Sequence, residues 1–402
     1  MRMGSGLLAV IVVAWLSWQQ LRVDANVGAA FGPDRRITDA RGEVNDAQTL
    51  KAIARATLRD RPIDAGAFRL LGLAARLEGD PERAGDLFRT AARRSPRDEV
   101  AQAMLVDELF AQGRVAQGMR HVDALLRVAP RMRAPVLASL IANAANPELR
   151  SELARVLATN PPWREAFPSV LRGSDAMRPD PARSEAVLAS LAGVAALTPS
   201  ELAARIEALT ALGQPAQARA IWLQSLPQRE RRLDGLPFDG GFEGDRQIGG
   251  FGWWWDDESG ALLSLDANER AQGRQSLQAQ FSGRAVRFAG PRQRLALAPG
   301  RYEISSAAND RTSSSRRFAW FIQCTSGVTL VRLELPAAST GGWQNARTQF
   351  DVPRDCLGQQ LTLRHTGRSM AERQIGGTLH VDNVRLRNLP GLRALQSASR
   401  RE

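Results

Sequence analysis

The sequence predicts a multidomain chain of class α plus β: an N-terminal membrane helix, a solenoid of helical repeats and a C-terminal antiparallel β-sandwich. Three observations predict it. Pro62, Pro96 and Pro130 recur 34 residues apart (96 − 62 and 130 − 96), the period of a helix–turn–helix unit. Leu7–Trp18 is an apolar run broken only by Ser17. Near Leu236, glycine pairs appear and helical spacing gives way to period-two alternation. The 402 residues leave room for two or three domains, and 44% hydrophobic with 24% charged content excludes wholesale disorder.

The first element sets the compartment. Counted from Gly4 to Leu21, the apolar run reaches the minimum length of a bilayer span. Trp15 and Trp18, followed by Gln19-Gln20, suit an interfacial aromatic belt. Residues 1–21 are therefore read as a retained inner-membrane anchor, with a secretory signal cleaved after Ala25 or Ala29 as the alternative. Either way the bulk of the chain is expected in the periplasm, with residues 22–44 as a polar spacer. Cys324 and Cys356 are the only cysteines, and in an oxidising compartment they suit a disulfide, buried free thiols being the alternative. No CxxC is present, and His121, His365 and His380 lack companion ligands at metal-binding spacing.

The formal charge is +12 and Lys51 is the only lysine, so the positive charge is almost wholly guanidinium. Guanidinium grips carboxylates, sulfates and phosphates with paired hydrogen bonds. The charge is spread along the chain without a dense basic cluster or a nucleic-acid module, so no nucleic-acid partner is expected.

Residues 45–230 carry the helical pattern. Asn45–Arg59 suits the second helix of a partial first repeat. In 65–96, Phe68, Leu71-Gly72 and Ala75 share one helix, and Asp80-Pro81, Ala84, Phe88 and Ala91 the next. Glu99–Pro130 repeats this with Leu105, Leu109, Gly113, Gly118, Val122 and Leu125. Segments 134–144, 147–158 and 182–195 keep helical spacing with a weaker period, and a unit returns at 199–227 with Leu202, Ile206, Leu209, Pro215, Ala218 and Trp222. The signature in 65–96 resembles the tetratricopeptide repeat family, with Phe68 where the family usually has Trp and Ala75 where it usually has Tyr. That resemblance implies a concave groove lined from the first helices, including Arg69, Leu73, Arg76, Asp107 and Phe110, that holds a partner protein. For Leu73 and Phe110, packing between repeats is the alternative.

Residues 237–388 read as nine short strands: 262–267, 276–282, 294–298, 301–307, 317–324, 328–335, 346–352, 360–365 and 378–386. Residues 389–402 form a basic tail. The order Gly241-Phe242-Glu243, Gly273 with Ser276-Leu277, Leu297-Ala298-Pro299-Gly300 before Tyr302, and a closing Asp382-Asn383-Val384 is similar to carbohydrate-binding modules of the galactose-binding-like jelly-roll type. Phe251-Gly252-Trp253, Trp320–Cys324 and Val352-Pro353 with Cys356 resemble C-terminal domains of bacterial envelope proteins that carry tetratricopeptide repeats and are associated with exopolysaccharide production.

Sugar recognition needs flat apolar faces edged by polar groups. Trp253, Trp254 and Trp255 alternate faces in a strand, so Trp254 points away from its neighbours. The resemblance makes Trp253 the core member and Trp254 the outward one, with packing against protein as the alternative. The candidate sugar contacts are Trp254, Trp255, Asp256, Asp257, Trp320 and Trp343, the last two being also suited to the core. The resemblance further implies a structural calcium on Glu243 and Asp382, the alternatives being a hydrogen-bonded acid pair or simple exposure; no other cofactor is expected. No GxSxG, HExxH, SxxK or phosphate loop occurs, and the acids at 256–258 are consecutive and not set across a cleft, so no enzyme activity is expected. These expectations combine into a membrane-anchored periplasmic scaffold that holds a partner protein with its repeats. Its sandwich would hold an acidic or neutral polysaccharide, in envelope or exopolysaccharide assembly. The alternative is a protein-only assembly adaptor with a structural sandwich.

Overall fold

The computed structural model describes residues 46–173, 180–244, 249–256, 261–337 and 342–389. The expected anchor, the spacer, Asp257 and all but the first residue of the basic tail lie outside them. Among the described residues, no helix is long and apolar enough to cross a membrane. The chain divides into two compact units, Met1–Ala204 and Arg205–Glu402.

The first unit is helical. Helices α1 (Ala47–Asp60), α2 (Ala65–Leu77), α3 (Pro81–Arg94), α4 (Glu99–Ala111) and α5 (Val115–Val128) follow in order, the first four starting where the sequence supplies a cap. Asp46, Asp64, Asp80 and Asp98 each accept from a backbone N–H in the first turn, and Pro81 stands at a first helical position, where its missing N–H costs nothing. The 34-residue spacing survives in the helix starts: 99 − 65 and 115 − 81. Small residues let neighbouring side chains in closely. A Cβ on Gly118 of α5 would lie 2.3 Å from the ring of Phe110, so glycine is needed there.

After Pro130 come α6 (Arg133–Ala142), α7 (Pro147–Ala158), α8 (Phe167–Arg172) and α9 (Pro181–Ala192). Helix α8 and the 3₁₀ turn before it were not anticipated, because Pro161, Pro162 and Pro168 hide a helical period. What holds this stretch is aromatic: Trp163 and Phe167 are fully buried in a cluster with Leu137, Leu153 and Leu188. A buried ion pair also ties it. Arg164 donates from Nε and Nη2 to Glu201 at 2.8 and 2.7 Å, and also reaches the carbonyls of Leu157 and Ala196. Thr198 and Glu201 form a capping box at the start of α10 (Pro199–Ala211), Thr198 N–H donating to Glu201 Oε2 and Glu201 N–H to Thr198 Oγ1.

The second unit begins within α10, earlier than the boundary at 230–237 that composition suggested. The reason is Trp222 on α11 (Pro215–Ser225). Its indole is 2% exposed and packs edge-on against Phe238 at 4.7 Å and against Phe251 at 5.9 Å, so α11 belongs with the sandwich. Gly250 makes that possible: at φ 57° a Cβ there would lie 2.3 Å from the indole. A short helix, α12 (Gln228–Arg231), follows. The next segment is sewn to the strands by Gln293, which is 1% exposed: its amide accepts from Phe238 N–H and donates to Phe238 C=O.

Nine strands follow: β1 (Leu262–Asp266), β2 (Ser276–Ala285), β3 (Ala289–Leu295), β4 (Gly300–Thr312), β5 (Phe318–Cys324), β6 (Thr329–Glu334), β7 (Gln344–Val352), β8 (Gln359–His365) and β9 (Gln374–Leu389). They make two antiparallel sheets, a five-stranded one in the order β1-β2-β9-β4-β7 and a four-stranded one in the order β3-β8-β5-β6. Without β1 these are the two four-stranded layers of a jelly roll. The third strand lies five residues earlier than expected, at 289–295, because Pro291 reads as a breaker; β3 is an edge strand, where a missing N–H is tolerated. The core between the sheets holds Trp253, Trp255, Phe281, Phe288, Tyr302, Phe318, Trp320 and Phe350. Cys324 and Cys356 form a disulfide with Cα atoms 5.5 Å apart.

Candidate functional site

In a strand, alternate side chains leave the core, so each sheet has one outward face. On the four-stranded sheet the core takes Phe318, Trp320 and Ile322 of β5 and Leu361 and Leu363 of β8. The residues between them face outward, and register aligns them. Trp254, paired with β3 by an isolated bridge, opposes Arg292; Arg292 opposes Thr362, Thr362 opposes Phe321, and Phe321 opposes Arg332. Strands stand about 4.8 Å apart, so Trp254 and Phe321 lie roughly 14 Å from each other along this row. Arg294 and Arg364 stand on the same face in the rows beside it.

The two aromatics are dressed with guanidinium. Arg292 lies 3.4 Å above the Trp254 ring and pairs with Asp256, so the outward indole is covered on one side. Its Nε is buried with no hydrogen-bond partner among the described residues. Phe321, half-buried, has Arg364 at 5.5 Å and Arg332 at 5.8 Å from its ring centre. Arg332 donates to Glu334 at 2.6 Å and Arg364 to the Gln323 amide oxygen at 2.9 Å. Four arginines (Arg292, Arg294, Arg332, Arg364) thus face two carboxylates, Asp256 and Glu334, among the described residues. Stacked guanidinium keeps its in-plane N–H groups free to point at a planar anion.

The other expected contacts lie elsewhere. Trp255 is 4% exposed and Trp320 fully buried, its Nε1–H donating to Ser306 Oγ at 3.1 Å, so both belong to the core. The inward pull of an apolar ring outweighs its use as a platform wherever a strand turns it inward. Trp253 is also core, stacked on Phe242 at 5.0 Å and donating to Asp239 C=O at 2.8 Å. Trp343, half-buried, stands on the outward face of the other sheet, 6.4 Å from His380.

Glu243 and Asp382 do not fit a calcium ion. Asp382 is fully buried, with Oδ2 accepting from the N–H groups of Ala271 and Gln272 and Oδ1 from Asn383 N–H. Glu243 accepts from Arg274 N–H at 2.8 Å and Arg274 Nε–H at 3.1 Å. Donors stand where a cation would need further oxygens, and no group of three metal-ligating side chains occurs among the described residues. Burial pushes the Asp382 carboxyl above its usual range against these backbone hydrogen bonds, with the Glu243 charge adding to the rise.

In the helical unit, the charged residues expected in the groove are held in ion pairs. Arg76 pairs with Asp107 at 2.8 Å, and Arg69 with Asp98 at 3.0 Å, in each case joining one repeat to the next. Phe110 is 7% exposed and packs in one core cluster; Leu73 is half-buried against another, with Phe88 and Leu105. A Ser–His contact in the sandwich, Ser314 Oγ to His365 Nε2 at 2.7 Å, has the wrong polarity for a nucleophile. Gly367 N–H donates to His365 Nδ1, so Nε2 carries the proton and donates to the hydroxyl, which in turn donates to Arg316 C=O.

No protein-family model and no curated protein matches the chain. Among solved structures, the C-terminal region is similar to the CBM22-1 xylan-binding domain from Paenibacillus barcinonensis Xyn10C, at 20% identity over 38% of this chain and 93% of that one, TM-score 0.28. It is also similar to TmCBM61, solved with β-1,4-galactotriose, at 15% identity over 38% of this chain and 96% of that one, TM-score 0.29. These likenesses concern fold; the xylan and the galactotriose belong to those proteins.

Proposed function

We propose that the chain is a non-catalytic binding protein whose sandwich holds an acidic polysaccharide across the outward face of β3-β8-β5-β6. The observation that carries this reading is the cross-strand row of Trp254, Arg292, Phe321 and Arg332 with Arg364 and Arg294 beside it. A uronate-type sugar offers a carboxylate for a paired guanidinium contact and a C–H face for an aromatic ring, and this face supplies both at strand spacing. In the same reading, residues 1–21 anchor the chain in the inner membrane and the helical repeats hold a protein of envelope or exopolysaccharide assembly.

The test is affinity electrophoresis of the full chain through gels containing polygalacturonate or its carboxyl-reduced form. Retardation by the acidic polymer alone is expected, weakening with salt. Arg364→Ala and Phe321→Ala should each lower affinity about tenfold. Equal retardation by both polymers, or variants that bind like the parent, would remove the reading.

A further inference from the structure

Each repeat of the helical unit closes on the same pair of positions. The proline at 62, 96 or 130 is followed by an exposed side chain: Ile63, Arg97 and Arg131. Helices α1, α3 and α5 share one length and one register, so Arg59, Arg93 and Arg127 hold an equivalent position, the last but one of each helix (93 − 59 and 127 − 93). Loops of three or four residues join consecutive helices, which pack on each other from α1 on α2 to α4 on α5, so neighbours run antiparallel. Helices α1, α3 and α5 therefore point the same way, and all six residues lie at one end of the repeats.

That end is cationic. Residues 59–64, 93–99 and 127–133 hold eight arginines and four carboxylates, and three of the acids are engaged. Asp64 and Asp98 accept from the first turns of α2 and α4, and Glu99 pairs with Arg131. Arg59, Arg93 and Arg97 are exposed, and none is in an ion pair among the described residues; Arg93 donates to Thr90 Oγ1 at 3.3 Å. A basic side chain in the last turn complements the helix dipole, which accounts for positions 59, 93 and 127. It does not account for Arg97, beyond the end of α3, or for Ile63, 73% exposed at the same place in the preceding repeat.

We propose that this end docks on an anionic bilayer, with the arginines on lipid phosphates and Ile63 among the upper acyl chains. Guanidinium grips phosphate oxygens with paired N–H groups, and an exposed isoleucine gains by leaving water at the interface. The occupant follows from how the chain is tethered, and here the proposal rests on residues 1–21 being the membrane anchor. Twenty-five residues separate Leu21 from α1 (46 − 21), a connector that reaches at most about 90 Å. Such a tether keeps the cationic end close to the bilayer, where contacts too weak to capture a free chain suffice. The apolar residue falls in the repeat that the tether joins.

The experiment reconstitutes the full chain into vesicles of phosphatidylcholine, alone or mixed with phosphatidylglycerol, with nitroxide quenchers on the acyl chains. Cys324 and Cys356 are bonded to each other, so a thiol-reactive fluorophore marks Ile63→Cys alone; Val194→Cys, exposed after α9, is the control. Quenching at position 63 is expected with phosphatidylglycerol only and should be reversed by salt, while position 194 stays bright throughout. Arg59→Gln, Arg93→Gln and Arg97→Gln, added to the labelled chain, should each lower the ratio of docked to free about fivefold and leave the melting midpoint unchanged. No quenching at 63, equal quenching in both lipids or at both positions, or variants that dock like the parent would overturn the proposal. So would a fluorophore that stays bright on vesicles and responds to polygalacturonate, which would assign this end to an acidic polymer. Flotation separates the two readings. A chain that fails to float with phosphatidylcholine vesicles has no anchor, and the proposal falls with it; a chain that floats while position 63 stays bright refutes the docking alone.

Discussion

The two units use arginine in opposite ways. In the helical unit, Arg69, Arg76, Arg89 and Arg131 each reach a carboxylate on another helix (Asp98, Asp107, Glu108 and Glu99), and Arg164 is buried against Glu201. In the sandwich, Arg292, Arg332 and Arg364 lie over aromatic rings on one sheet face, where arginine outnumbers acid. The difference follows from geometry. Stacked helices bring charged flanks of successive repeats within reach of each other, so opposite charges at repeat spacing meet. A sheet face holds its side chains in parallel rows, and here Asp256 meets Arg292 and Glu334 meets Arg332, while Arg364 has an amide oxygen as its partner. The pairs of the first unit join one helix to another, whereas those of the basic face lie beside aromatic rings on a single sheet.

The largest effect expected from breaking that contrast is at Glu201. Burial alone would push its carboxyl up, but the hydrogen bonds from Arg164 and Thr198 outweigh it and hold the group below its usual range. Glu201→Gln leaves Arg164 charged, buried and half-partnered, and should destabilise the helical unit by about 3–5 kcal/mol in denaturant melts. A loss under about 1 kcal/mol would mean that water reaches the pair.

A smaller effect is expected in the sandwich, and it depends on pH. Asp239 is 8% exposed, and burial raises its carboxyl to about 6 despite the N–H groups of Glu243 and Gly244 donating to it. A carboxyl whose folded value is raised holds its proton more tightly folded than unfolded. Its contribution is therefore full below the unfolded value and is lost as pH rises toward 6. The difference in unfolding free energy between parent and Asp239→Asn should shift by about 2–3 kcal/mol across that window. The difference is the useful quantity, because Asp310 and Asp382 are raised by burial too and contribute with the same sign. A flat difference would show that Asp239 titrates normally.

The smallest effect is at Arg76. Its pair with Asp107 is partly exposed, so Arg76→Ala should cost less than about 1 kcal/mol in the same melts. A larger loss would show that the link between repeats does more than a surface ion pair can.

Much of the fold was legible because it rests on short-range periodicity. Helices α2 to α5 follow from Gly72, Ala84, Phe88, Leu105 and Val122 at helical spacing, and the strands follow from alternation. What misled was proline: Pro291 displaced the third strand and the prolines at 161, 162 and 168 hid α8. The outward aim of Trp254 was readable from its two tryptophan neighbours. Its cover was not, since Arg292 meets it only through a bridge between segments 38 residues apart (292 − 254). Trp343 was named for its residue type alone, and nothing near it in the chain points to His380 or Asn309.

The chain by itself determined which segments coil and which extend, because a helix or strand is chosen by side chains within a few residues of one another. It also determined that both cysteines fall in the strand-rich region and that its positive charge is guanidinium. Tertiary structure alone decided which sheet face each arginine occupies, that Trp222 joins the sandwich unit, and that His380 and Asn309 stand opposed. Strand order is the physical reason: a jelly roll sets β9 between β2 and β4, so residues a hundred positions apart become neighbours through hydrogen bonds that no local pattern encodes.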